Sequence, residues 1–127
     1  MKKIINSTSA PEAIGPYNHA CIAQGLLFAS GQIAINPKTG ELVTESIEKE
    51  TTQVLKNIYE VLAEANLEYE DIVKCTIFIK NMDDYPKINK VYAEFFPEES
   101  APARELVEVS ELPKQVNLEI SVIASTK

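Results

Sequence analysis

The chain has 127 residues, 45% of them hydrophobic, so one domain with a real core is the expectation, spanning 1–127. Its formal net charge is -7 and its lysines are scattered, which argues against nucleic acid as a partner, because an acidic surface repels phosphates. No run approaches the ~20 apolar residues of a membrane helix, and Ile4-Ile5 after Met1-Lys2-Lys3 is far short of a signal-peptide core; a soluble, cytoplasmic protein with no membrane partner is expected.

Lys3 to Asn6 can form a short edge strand, and Ser7 to Pro16 is a loop broken by Pro11, Gly15 and Pro16. Tyr17–Gln24 and Leu26–Ile35 read as strands joined at Gly25, followed by the turn Asn36-Pro37-Lys38-Thr39-Gly40. Ser46 can cap a helix in which Ile47, Thr51, Val54, Leu55, Ile58, Leu62 and Ala65 share one face, with Glu48, Glu50, Lys56, Glu60 and Glu64 off it. Asn66 is its stop.

Ile72–Lys80 is the next strand; Val73, Cys75, Ile77 and Ile79 form its apolar face. Asp83 or Asp84 opens a second helix, with Pro86 in its first turn, a stripe of Ile88, Val91, Tyr92 and Phe95, and Pro97 at its end. Arg104–Val109 and Val116–Ser125 are the last strands. Each helix can bridge two parallel strands by a right-handed crossover, so both cover one sheet face. The result is a two-layer α+β domain with a mixed sheet. The row Asn117, Glu119, Ser121, Ile123, Ser125 then lies on the uncovered face with Ile72, Thr76 and Phe78. A face of that mixed kind packs against another subunit or stays solvated; an oligomer is the expectation.

Arg104 is the single arginine beside eleven lysines. Arginine alone offers a planar fork that grips a carboxylate or phosphate through two parallel hydrogen bonds and keeps its charge. A structural salt bridge to one of the nineteen acids is the competing reading. Glu119 stands between Leu118 and Ile120 in an apolar strand. There a carboxylate is paired, hydrogen-bonded or raised in pKa, and so a candidate acid or base, unless it sits at a solvated sheet margin. Ser30 lacks a local base, Gly31 can admit a ligand close to the backbone, Tyr17 is a weak signal, and Asn89 is off the second helix's stripe, where solvent exposure is the default. Cys21 and Cys75 read as buried free thiols in a reducing compartment. The one histidine, His19, has no cysteine near it in sequence, so no metal site is expected. There is no phosphate loop, nucleophile elbow or paired CxxC.

Ile14-Gly15-Pro16-Tyr17, Ser30-Gly31-Gln32 with Asn36-Pro37-Lys38-Thr39-Gly40-Glu41, Asp71-Ile72-Val73-Lys74, Asn89 with Tyr92 and Phe95-Phe96, Pro102-Ala103-Arg104 with Val107-Glu108-Val109, and Leu112-Pro113-Lys114 followed by Glu119-Ile120 form an ordered series. From about Ala10 to Ala124 it resembles the RidA/YjgF family of reactive-intermediate deaminases. The resemblance implies a chorismate-mutase-like fold: a six-stranded mixed sheet with two helices on one face, assembled as a homotrimer with sites between subunits. It implies hydrolysis of 2-imino acids, such as 2-iminobutanoate and 2-iminopropanoate, to 2-keto acids and ammonia without cofactor or metal. Such imines escape from pyridoxal-phosphate enzymes and damage others.

By the same resemblance, Arg104 grips the substrate carboxylate, Glu119 holds the attacking water, and Tyr17, Ser30, Gly31 and Asn89 line the pocket. Leu106 presents its backbone amide to the carboxylate. Arg104 and Glu119 are expected to meet across a subunit boundary. Where the family often reads Arg-Ser-Cys-Val-Glu-Val, this chain has Arg104-Glu105-Leu106-Val107-Glu108-Val109; Leu106 adds bulk, and alternation should point Glu105 away. A non-catalytic regulator or a holdase on the same fold is the alternative from another class. A nuclease is disfavoured by the acidic surface.

Overall fold

The computed structural model describes residues 1–126. Six strands form one sheet in the order β1-β2-β3-β6-β4-β5. They are β1 Lys3–Ile5, β2 Ala20–Ala23, β3 Leu26–Ala29, β4 Ile72–Ile79, β5 Ala103–Glu108 and β6 Leu118–Ser125. Helices α1 (Ile47–Glu64) and α2 (Tyr85–Phe95) are the crossovers. Only β4 and β5 pair in parallel; every other neighbouring pair is antiparallel. With β6 antiparallel to both β3 and β4, those two strands also run the same way, so each helix does join parallel strands.

The helices start and stop as their sequences direct. The Ser46 hydroxyl accepts the Lys49 N–H at 3.1 Å, and Asn66, at φ 60°, ends α1 in the left-handed conformation. Pro86 sits in the first turn of α2. Their apolar stripes, Val54, Leu55, Ile58, Leu62 and Ile88, pack against Cys75, Ile77, Ile79, Leu118, Ile120, Val122 and Ala124, all buried. On the other sheet face Ile4, Phe28, Val73 and Val107 are exposed.

Two bulges alter the strand reading. Opposite β6, β4 advances from Ile72 to Lys74 while its partner advances only from Ala124 to Ile123. Val73 is the extra residue, so Ile72 is buried and Val73 exposed, the reverse of the strict alternation expected. Similarly, Phe28 pairs Ile123 but Gln32 bridges Ile120, four residues against three. The expected strand Leu26–Ile35 therefore ends at Ala29, and Ser30 and Gly31 occupy the slip. The expected strand Tyr17–Gln24 begins only at Ala20, because the Asn6 side chain takes the His19 N–H at 2.9 Å and the Asn18 carbonyl accepts the Ser30 hydroxyl at 2.7 Å.

Glu50 corrects the helix reading: it is fully buried instead of lying off the packed face. Its carboxylate accepts N–H groups of Asn117 at 2.8 Å (backbone) and 2.7 Å (side chain) and of Leu118 at 3.3 Å. It sits in the first turn of α1, where the helix dipole favours an anion. That bond set locks the start of β6, two residues before Glu119.

Candidate active site

β5 is an edge strand, and Arg104 lies on it opposite Cys75, on the face covered by α2. Nη1 donates to Asn89 Oδ1 at 2.8 Å and Nη2 to the Tyr85 hydroxyl at 3.1 Å. The guanidinium carbon stands 4.9 Å from the Tyr92 ring centre and 5.8 Å from that of Tyr85. All these partners are neutral. The Lys74–Glu105 ion pair, at 2.7 Å, lies on the opposite face, and among the described residues no acid pairs with Arg104. A salt bridge within the described residues of one chain therefore does not account for this arginine. A half-buried cation, oriented by neutral acceptors and stacked on a ring, keeps its charge for an incoming anion.

Beneath it, burial pushes both the Tyr92 hydroxyl and the Cys75 thiol up in pKa, so both are neutral. The Tyr92 hydroxyl has no hydrogen-bond partner of good geometry; its remaining interaction is with that thiol. Leu106 follows Arg104 on the same face and packs against the core. Because the Val109 N–H bonds to Ile79 on β4, alternation along β5 directs the N–H groups of Arg104 and Leu106 outward from the free sheet edge.

Glu119 lies elsewhere. It pairs with Phe78 on β4, and Cys75 and Phe78 are three residues apart on one strand, so Arg104 and Glu119 project from opposite faces. One chain does not bring them together. Half-burial raises the Glu119 pKa above the ordinary 4.5, with desolvation the cause. No hydrogen bond or ion pair from the described residues holds its carboxylate. Gly31 lies directly against it, and Ser30 stands next to Gly31 with its hydroxyl spent on Asn18. Tyr17 is exposed in the adjoining loop, bordering a cleft of about 600 Å³ with Asn18 and His19. The larger groove, about 800 Å³ beside Lys56, Tyr59 and Tyr69, contains none of the candidate residues.

His19 is a loop clip: Nδ1 accepts the Ser7 N–H at 3.0 Å and Nε2 meets the Pro11 carbonyl at 2.7 Å. Cys21 and Cys75 are free thiols, and the described residues hold no cluster of three or more metal-binding side chains. Glu105 points away from Arg104 onto Lys74, which holds its carboxyl below the usual range. Tyr85 is the residue the sequence reading missed. It shares a helix face with Asn89 and Tyr92, at steps of four and three, and that spacing was the available signal.

A family model described as Endoribonuclease L-PSP matches residues 7–126. The chain belongs to this family, the RidA/YjgF proteins. RutC family protein PH0854 of Pyrococcus horikoshii is 50% identical over 124 residues, 98% of each chain. The 2-iminobutanoate/2-iminopropanoate deaminase of Escherichia coli K12 is 43% identical over 126 residues, again 98% of each. Among solved structures, E. coli TdcF with bound serine superposes with a TM-score of 0.92 at 40% identity, covering 98% of this chain and 99% of that one. The RidA/YjgF fold, two helices on one face of a six-stranded mixed sheet, is thus this chain's fold, and deaminase is a name carried within its family.

Proposed function

We propose that this RidA/YjgF protein hydrolyses reactive 2-imino acids, 2-iminobutanoate and 2-iminopropanoate foremost, to 2-keto acids and ammonia, without a cofactor. The observation that carries the reading is Arg104: a lone guanidinium, free of any acid among the described residues and aimed by Asn89, Tyr85 and Tyr92. Its fork, with the outward Leu106 N–H, takes the substrate carboxylate. The serine bound by TdcF has the same carboxylate-and-nitrogen layout as a 2-imino acid.

The imine nitrogen is protonated and its carbon electrophilic, so water needs placement and a proton acceptor. Glu119 of a neighbouring copy takes a proton as the water oxygen bonds to carbon. It returns that proton to nitrogen; as the carbon–nitrogen bond breaks, the carboxylate takes the hydroxyl proton, the carbonyl forms, and the departing ammonia carries that proton away as ammonium, leaving Glu119 ionised again. Tyr17, Ser30, Gly31 and Asn89 line the space between. The second copy packs on the open sheet face, where Ile4, Phe28, Val73 and Val107 are exposed, in a homotrimer. The setting is cytoplasmic, where pyridoxal-phosphate enzymes release such imines.

The test supplies 2-iminobutanoate with threonine dehydratase and follows its loss in a trapping assay. Addition of the protein should accelerate loss, and Arg104→Ala should abolish the effect while the assembly persists. Unchanged loss with the wild-type protein, alongside measurable 2-keto acid binding, would reject catalysis in favour of a ligand-binding regulator. Degradation of RNA would instead favour the activity in the family description, which the net charge of -7 opposes.

A further inference from the structure

Gly31 stands apart from the other three glycines. Gly15, Gly25 and Gly40 have φ of 119°, 77° and 77°, where a side chain is strained; Gly31 does not share that backbone. Its lack of a side chain therefore has another reason. A Cβ built there would lie 2.7 Å from the Glu119 carboxyl carbon and 2.9 Å from its Cγ, closer than real Cβ contacts come. The backbone cannot slide away. Gln32 exchanges two hydrogen bonds with Ile120, at 2.8 and 3.1 Å, and the Ser30 N–H and hydroxyl are fixed on His19 and Asn18 at 2.9 and 2.7 Å.

We propose that Gly31 is a positioning residue for Glu119: the omitted side chain leaves the volume in which the carboxyl rests over the strand. That vacancy, with no hydrogen bond from the described residues, fixes where the proton acceptor stands. The bulge that holds Ser30 and Gly31 brings the glycine to this place, and the Glu50 bonds to Asn117 and Leu118 hold β6 from the other side. The charged groups on that face, Lys80 by alternation along β4 and the Lys74–Glu105 pair further down, leave the Glu119 shift to burial alone. The functional meaning rests on the proposed deaminase reaction; the steric claim does not.

An alanine at 31 would be relieved most cheaply by rotation of the flexible Glu119 side chain away from residue 31, with the fold intact. The experiment is Gly31→Ala, read first by carboxyl-carbon NMR titration, with Glu119 assigned through Glu119→Gln. In the wild-type protein Glu119 should titrate above 4.5, and in Gly31→Ala it should fall to the ordinary glutamate value. The rate constant kcat for imine loss should drop by about 10²-fold with KM nearly unchanged, since Arg104 is untouched. A folded Gly31→Ala protein with unaltered Glu119 titration and kcat overturns the proposal. A shifted titration in a protein whose wild type has no deaminase activity leaves the positioning role standing and removes the reaction. Should Gly31→Ala not fold, it is combined with Glu119→Ala. Recovery of the fold in the double variant supports the contact, and failure to recover overturns it.

Discussion

Co-producing two inactive variants, Arg104→Ala and Glu119→Gln, tests whether one site draws on two chains. Arg104 lies opposite Cys75 and Glu119 opposite Phe78, with β4 between their strands. Two strand spacings across and three residues along put their backbones about 14 Å apart, with side chains on opposite faces, too far for one small ligand to bridge. A closed ring in which each site takes the arginine of one copy and the glutamate of the next has a simple consequence. Random equal mixing leaves about one quarter of sites with both side chains, so the mixture should recover about a quarter of wild-type activity while either variant alone has none. The assay is trapping of 2-iminobutanoate, with native mass spectrometry confirming mixed assemblies. Mixed assemblies as inactive as their parents would refute the shared site.

Tyr85→Phe removes one neutral acceptor from Arg104 and keeps the ring; a loss of about 0.5–1.5 kcal/mol should raise KM roughly 2–10-fold with kcat little changed in steady-state assays. Glu50→Gln should cost about 1–3 kcal/mol in urea unfolding, because one acceptor oxygen replaces two facing three donors, one buried and two half-buried, with the low end reached if the Asn117 amide flips. The raised Glu119 pKa favours the protonated folded form, so its contribution to stability is full below the ordinary 4.5 and is lost as pH rises through the higher folded value. Thermal unfolding should accordingly show Glu119→Gln gaining on the wild type as pH rises above the ordinary 4.5.

Periodicity and capping made the helices and the core rows of β4 and β6 legible, because those signals are local: Ser46, Asn66 and Pro86 act within a turn of their own positions. Glu50 was not legible. Its steps from Ile47 and to Val54 place it on the packed face, but a carboxylate reads as polar until its three donors, 67 and 68 residues away, are known. Val73 and Ile72 were exchanged for the same kind of reason, since a bulge is a property of two strands and alternation of one.

The uniqueness of Arg104 and the apolar flanks of Glu119 are facts of the sequence alone, and they marked both residues for chemistry. That Arg104 has no acid partner among the described residues, that Tyr85 helps to aim it, and that Glu119 rests in the vacancy of Gly31 were decided only by tertiary structure. Charge compensation and excluded volume depend on which distant side chains arrive within a few ångströms, and sheet order settles that, not spacing along the chain.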